Sequence, residues 1–90
     1  RNSGGSSFSE IEIFPNPSSD VFNLTFNLND LSDINIKVSN ILGVTLFTDK
    51  SNSRIGNYSS MIDLNTYSKG TYFLEIRINY QVYFRKLILN

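Results

Sequence analysis

The chain has 90 residues, 40% of them hydrophobic and 13% aromatic, which suits one small domain with a single core. Its eight basic and eight acidic residues are scattered singly and give zero formal net charge, so no basic patch for nucleic acid is visible. Histidine and cysteine are absent, which excludes disulfides, a thiol nucleophile, the usual general base and the most common metal ligands.

The first eight residues differ in composition from the rest. They contain Gly4-Gly5-Ser6-Ser7, which is typical of a flexible linker or an expression remnant. No charged and then apolar leader precedes them, so we expect the chain to be a piece of a longer protein whose export signal lies upstream. We place the folded domain at residues 9–90, where no apolar run approaches the roughly 18 to 20 residues that span a bilayer.

Two runs with strand periodicity follow the linker. Residues 9–14 alternate, with isoleucines on one face, until Pro15-Asn16-Pro17 removes two backbone donors and ends the run. Residues 22–28 alternate most cleanly between apolar and polar side chains, which predicts a strand with one buried face. The polar residues 29–33 predict a turn.

Three further runs occupy the middle of the chain. Residues 34–38 alternate and are followed by Asn40-Ile41-Leu42-Gly43, which predicts a tight reversal into residues 44–47. Residues 48–53 are polar and predict a loop. Residues 58–64 alternate again and indicate a weaker strand, because serines dilute its apolar face.

The last two runs contain the longest strand signal. Gly70 ends a turn, and residues 71–78 after it place most apolar and polar side chains on opposite faces. Asn79-Tyr80-Gln81 is short enough for a hairpin connection to residues 82–89, whose apolar residues change parity, so we expect a bulge near Arg85-Lys86. The seven runs predict an all-β fold, a single immunoglobulin-like antiparallel β-sandwich of about seven strands.

Three small clusters could support chemistry, but each also has a structural explanation. Glu10 and Glu12 project from one strand face, as paired catalytic carboxylates do, or they line a solvated strand edge. The acidic residues within 29–33 could donate oxygens to calcium, although their spacing favours a turn. Ser68 beside Lys69 suggests a serine–lysine pair or ordinary turn residues. The residue inventory disfavours a hydrolase, and we expect no catalytic, cofactor or metal site.

Aromatic and basic residues are the candidates for binding. Tyr67, Tyr80 and Tyr83 could stack on sugars or anchor a protein, or they could be core or cross-strand aromatics. Arg85-Lys86 forms a small basic spot, which either guards an edge strand or is presented to a receptor. One possible function is therefore an immunoglobulin-like accessory or carbohydrate-binding module of a secreted enzyme.

Four motifs occur in order over residues 11–89: Ile13-Phe14-Pro15-Asn16-Pro17, Asn40-Ile41-Leu42-Gly43, Ile62-Asp63-Leu64 with Lys69-Gly70-Thr71-Tyr72, and Lys86-Leu87-Ile88-Leu89. Together they resemble the type A C-terminal sorting domain of the type IX (Por) secretion system of Bacteroidetes. The sequence departs from that pattern at Asn90, where the family more often has a basic residue. The positions that match it are Pro15, Asn16, Pro17, Gly43, Gly70, Tyr72, Lys86, Leu87, Ile88 and Leu89.

The resemblance implies a cargo signal without an activity or cofactor of its own. A precursor with such a domain folds in the periplasm, and the outer-membrane translocon then recognises the domain. A sortase-like peptidase on the cell surface commonly cuts ahead of the first strand, here within Arg1 to Ser9, and the passenger is released or attached to the surface. The implied partners are the translocon, its peptidase and the N-terminal passenger, with no nucleic acid and no membrane span.

The last predicted strand suggests how the signal is read. An edge strand exposes unpaired backbone groups, so a receptor could add a strand to Val82–Leu89. Alternatively, Leu87 and Leu89 are buried, and their loss would abolish sorting by unfolding a small domain.

Overall fold

The structure, a computed structural model, describes residues 10–90. The predicted linker and the expected cleavage region lie outside these residues. Within them every strand pairing is antiparallel, and the all-β prediction is confirmed. The five strands are β1 (Glu12–Phe14), β2 (Val21–Ser39), β3 (Thr45–Asp63), β4 (Gly70–Ile78) and β5 (Gln81–Leu89).

Strand β2 is the centre of the sheet, because it pairs with three other strands. Its first half pairs with β1 and with the second half of β3, so that Phe22 lies opposite Ile62. Its second half pairs with the first half of β3 on one side and with β4 on the other, so that Ile36 lies between Asp49 and Ile76. Strand β5 pairs with β4 and completes the order β1-β2-β4-β5, with β3 on β2.

The ribbon formed by β2 and β3 bends back on itself. Nineteen residues at about 3.3 Å each would span about 60 Å if straight, whereas the longest dimension of the molecule is 41 Å. The pairing register of β2 with β3 shifts between Leu28 and Ser32 and again between Ser32 and Ile34. Such irregularities bend and twist a strand. Both halves of the ribbon therefore face one core.

The predicted immunoglobulin-like sandwich of about seven strands is not confirmed, because the described residues form one connected sheet of five strands. Two pairs of predicted runs are continuous strands. The expected turn at residues 29–33 and the expected loop at residues 48–53 are wrong: these polar segments belong to β2 and β3. Residues 48–51 pair with residues 34–37, and Ser32 pairs with Arg54, so both polar segments stay within continuous strands.

One hydrophobic cluster joins the five strands. The alternation predicted for residues 22–28 is confirmed, since Phe22, Leu24, Phe26 and Leu28 are all buried. Burying one such side chain contributes about 1.5–3 kcal/mol before entropy is subtracted. The cluster consists of Ile11, Phe22, Leu24, Phe26, Leu28, Ile34, Ile36, Val38, Tyr58, Ile62, Leu64, Tyr72, Leu74, Ile76, Ile78, Leu87 and Leu89.

The bulge expected near Arg85-Lys86 is wrong. The β4–β5 register is uninterrupted from Gly70 opposite Leu89 to Ile78 opposite Gln81. The change of parity is resolved differently, because Leu87 and Leu89 face the core while Val82 and Phe84 face away from it.

A cluster of hydrogen bonds fixes the end of the molecule at which the ribbon bends. We call residues 29–33, 51–56 and 79–80 the bend end. The predicted hairpin is present, and Asn79 adopts a positive φ of 55° in it. Asn79 donates its backbone N–H to Asp33 O (2.9 Å), and its Oδ1 accepts from Asp33 N (3.0 Å). The Asp33 carboxylate in turn accepts from Ser53 N at 3.0 Å.

Candidate recognition site

The asparagine of the Pro15-Asn16-Pro17 motif binds the last strand. Asn16 Nδ2 donates to Lys86 O at 2.9 Å, and Ile88 N donates to Asn16 Oδ1 at 3.0 Å. The side-chain amide thus uses a donor and an acceptor in the way that a neighbouring strand backbone would. The peptide bonds before Pro15 and Pro17 are both cis.

Ser18 continues the contact that Asn16 begins. Ser18 N donates to Ile88 O at 2.9 Å, and Asn90 N donates to Ser18 O at 2.8 Å, so that Ser18 forms a parallel bridge with Leu89. The side chain of Ser18 is buried, and its hydroxyl donates to Val21 O. We call Asn16 and Ser18 the edge clamp.

The edge clamp narrows the hypothesis that a receptor adds a strand to Val82–Leu89. Among the described residues, β5 has a strand partner on one side alone, β4. On the other side, the clamp already binds backbone groups from Lys86 to Asn90. Arg85 Nη1 also donates to Phe84 O at 2.8 Å. Strand addition is therefore open only along the first half of β5.

Gly70 and Tyr72 lie opposite the end of β5 and support it from the other side. Gly70 pairs with Leu89, and Tyr72 pairs with Leu87. The φ of Gly70 is +147°, a backbone angle that residues with a side chain rarely adopt. The Tyr72 ring is buried, and its hydroxyl donates to Ser68 O.

Lys69 ties the two ends of the described chain together. Its Nζ donates to Asn90 O at 2.9 Å and to Ser19 O at 3.3 Å. The Lys69 ammonium therefore interacts with backbone carbonyls. These contacts favour a structural role for Lys69 over the alternative of a serine–lysine pair with Ser68.

Gly43 completes the predicted reversal after β2. Gly43 N donates to Asn40 O at 3.0 Å, and the Asn40 carboxamide oxygen accepts from Leu42 N and Val44 N. The φ of Gly43 is +83°, which explains the glycine. A groove of about 380 Å³ separates this turn from residues 67–72, with the exposed Ile41 on its wall.

All four motifs therefore lie at the same end of the molecule. The segment Ile62-Asp63-Leu64 also reaches this end, because Leu64 N donates to Asp20 O at 2.8 Å. We call residues 15–20, 40–43, 63–72 and 86–90 the motif end. Strands β4 and β5 run from it to the bend end, a distance of about 27 Å for nine residues.

The other candidate residues do not converge. Glu10 and Glu12 line a shallow groove with Thr25 and Asn57. Tyr80 is fully exposed at the bend end, whereas Tyr67 lies at the motif end. No group of three acidic side chains that could hold a metal ion is found within residues 10–90.

A family model described as the secretion system C-terminal sorting domain matches residues 12–90. The chain belongs to this family. It is a C-terminal sorting domain of the type IX secretion system, which implies interaction with that machinery and export to the cell surface or into the medium. No curated protein matches the chain. The described part of the sorting domain contains no helix long and apolar enough to cross a membrane.

The sequence did not reveal the contacts that join the motifs. Asn16 lies 70 residues from Lys86, and no periodicity connects them. Lys69 was predicted as a turn residue or as part of a serine–lysine pair, and Ser18 was not singled out. The order of the motifs was the one signal that these segments act together.

Proposed function

We propose that the sorting domain directs an N-terminal passenger across the outer membrane through the type IX translocon, and that the translocon recognises the motif end. The observation that carries this proposal is the convergence of four motifs, spread over residues 13–89, on one end of the domain. A common position is expected if one receptor surface contacts them together, since contacts to separate sites would not require it.

The proposed route begins in the periplasm, where the domain is folded before it meets the translocon. The edge clamp supports recognition of the folded form, because Lys86 and Ile88 are held in position by Asn16, which lies 70 and 72 residues away in the sequence and reaches them only after folding. A sortase-like peptidase then cuts ahead of β1, and the passenger reaches the surface or the medium. The domain acts as a substrate and ligand of this machinery and catalyses no reaction itself.

Export of a reporter tests the proposal. The whole 90-residue chain is fused behind a periplasm-targeted fluorescent protein and expressed in a Bacteroidetes host with or without a working type IX system. We expect fluorescence at the surface or in the medium only in the competent host. Fluorescence retained in the periplasm of both hosts would contradict the proposal.

Mass spectrometry of the exported reporter tests the cleavage step separately. We expect a new C-terminus within residues 1–9. An exported reporter that still carries Leu89 would exclude cleavage while leaving the sorting role in place.

A further inference from the structure

The fold separates charges that are scattered singly in the sequence. Antiparallel partners share a face, so the register defines the side of the sheet that points away from the core. Lys50, Asn35 and Arg77 form one row across it, and Lys37, Glu75 and Phe84 lie in the next. A third row contains Ser39, Phe73 and Lys86. We call these nine residues, with Val82, Thr71 and Ile88 on the same side, the outer face.

Four cations and one anion lie on the outer face. The anion, Glu75, is shared between two of the cations, since its oxygens lie 3.7 Å from Lys37 Nζ and 3.6 Å from Arg77 Nη2. Lys50 and Lys86 remain without a carboxylate on this face. The outer face is therefore a positively charged surface in which a single carboxylate, that of Glu75, lies between two cations.

Two phenylalanines form the apolar part of this surface. Phe73 is 44% exposed and Phe84 is 64% exposed. Phe73 pairs with Lys86, two residues after Phe84, so the two rings are diagonal neighbours on adjacent strands. Aromatic side chains within a ring of polar and charged groups are characteristic of protein interfaces.

The rest of the described chain has the opposite charge. Outside the outer face, residues 10–90 contain seven anions and three cations, Arg54, Lys69 and Arg85. An acidic partner would repel this part while attracting the outer face, and would therefore dock in one orientation. The seven anions are Glu10, Glu12, Asp20, Asp30, Asp33, Asp49 and Asp63.

We propose that the outer face docks on an acidic protein surface with an apolar centre, carried by the type IX outer-membrane translocon. This inference rests on the proposed function and extends the recognised surface from the motif end, which the outer face meets at Thr71, Lys86 and Ile88. It also adds the chemistry of the partner. A protein is favoured over an anionic membrane because the Glu75 carboxylate lies within the outer face, between Lys37 and Arg77, where a uniformly anionic headgroup layer would repel it and a patterned protein surface can match it.

The size of the outer face suits a transient contact. Four strands at about 4.8 Å spacing and about 27 Å of β4 give on the order of 500 Å² per partner. Interfaces that bury about 1,000 Å² in total lie at the weak end of specific complexes. A cargo signal that must be released after transport needs such a contact.

Binding of the whole 90-residue chain to the purified, immobilised translocon at low and high salt tests the inference. We expect Phe84→Thr to weaken binding at least about tenfold, the effect of losing one central aromatic anchor. Met61→Thr is the matched control, because Met61 is also 64% exposed and also lies in a strand, but away from the outer face. It should bind as the wild type does.

Lys50→Glu provides a second variant that does not alter an apolar residue. We expect it to weaken binding several-fold and to reduce the dependence of the dissociation constant on salt. Thermal melting of each variant verifies that it is folded, and Lys50→Glu still tests the inference if Phe84→Thr does not fold.

Three results would overturn the inference. The first is wild-type affinity for both variants. The second is Phe84-dependent binding to phosphatidylglycerol vesicles that is as tight as binding to the translocon, which would make a lipid surface the partner. The third is loss of binding through self-association, detected by analytical ultracentrifugation. If the wild-type reporter is exported while Phe84→Thr binds and exports equally well, this inference alone fails; if the wild type is not exported, the proposed function fails.

Discussion

The motif end and the bend end use the same chemical device for different purposes. At each end an asparagine carboxamide joins segments that are distant in sequence: Asn16 binds Lys86 and Ile88, and Asn79 binds Asp33. At the bend end, the bond holds the shape of the folded ribbon. At the motif end, it places residues of one motif beside those of another. Similar hydrogen bonds therefore hold the bend of the ribbon at one end and bring the motifs together at the other.

Exposed apolar side chains do not distinguish the two ends. Ile41 and Leu42 are exposed at the motif end, but Leu31, Ile55 and Tyr80 are exposed at the bend end. What differs is the sequence content, because all four motifs of the sorting family reach one end only. Experiments that separate stability from recognition can therefore be built from matched changes at the two ends.

The largest effect is expected from the core. Leu87 at the motif end and Leu28 towards the bend end are both buried. Each change to alanine should lower the free energy of unfolding by about 2–5 kcal/mol, because it leaves a cavity. Urea denaturation measures this loss, and export should fall for both variants since both populate the unfolded state. If Leu87→Ala lost export while keeping its full stability, unfolding would not explain its effect.

A backbone change should have the next largest effect. A Cβ on Gly70 would meet nothing within 4 Å, so Gly70→Ala isolates the strain of a φ of +147°, about 1–3 kcal/mol. Gly56 near the bend has a φ of +81°, closer to the left-handed helical region, and Gly56→Ala should cost about 1–2 kcal/mol. Thermal melting compares the two variants. A melting temperature of Gly70→Ala equal to that of the wild type would show that φ does not explain the glycine of the motif.

Replacing the amides should have a smaller effect on stability. Asn16→Ala removes two exposed hydrogen bonds and should lower the free energy of unfolding by about 1 kcal/mol. The Ile88 amide should then exchange with solvent up to about tenfold faster. Asn79→Gly keeps the positive φ and removes the hydrogen bond from Asp33 N to the Asn79 side chain. It is therefore the control at the other end. Unchanged exchange at Ile88 in Asn16→Ala would contradict the edge clamp.

The smallest effect concerns a tyrosine of the ribbon. The Tyr58 hydroxyl is buried without a hydrogen-bond partner among the described residues, and its ring stacks on Phe26. Burial raises the pKa of Tyr58 above its ordinary value of 10, and the Asp49 carboxylate acts in the same direction, whereas the Arg54 guanidinium over the ring opposes it.

Because the folded state holds this proton more tightly than the unfolded state, the stability from Tyr58 is complete below pH 10 and declines as the pH rises through the folded-state pKa. Tyr58→Phe should remove that decline and be neutral or stabilising by up to about 1 kcal/mol at neutral pH. Unfolding measured between neutral and strongly alkaline pH tests this. An unaltered alkaline decline in Tyr58→Phe would exclude the assignment.

Local features could be predicted from the sequence. The reversal at Asn40-Ile41-Leu42-Gly43 and the Asn79-Tyr80 hairpin are confirmed, because their residues favour turns by themselves. The burial of Phe22 to Leu28 is confirmed, because alternation of period two places side chains on one face.

Features that depend on partners could not be predicted. Residues 29–33 and 48–53 have the composition of turns, but Ser32 pairs with Arg54 and residues 48–51 pair with residues 34–37, which keeps both segments within strands. Val82 and Phe84 suggested a bulge because apolar residues were expected to face the core, whereas they face outward. The contact of Asn16 with β5 joins residues 72 positions apart in the sequence and depends on the folded arrangement.

The most direct test of recognition at the motif end compares reporter export for Asn16→Ala and Asn79→Gly, each divided by its folded fraction at the growth temperature. We predict that Asn16→Ala is exported much less than the wild type and that Asn79→Gly is exported equally well. Equal export of both variants would contradict the claim that the translocon recognises the motif end.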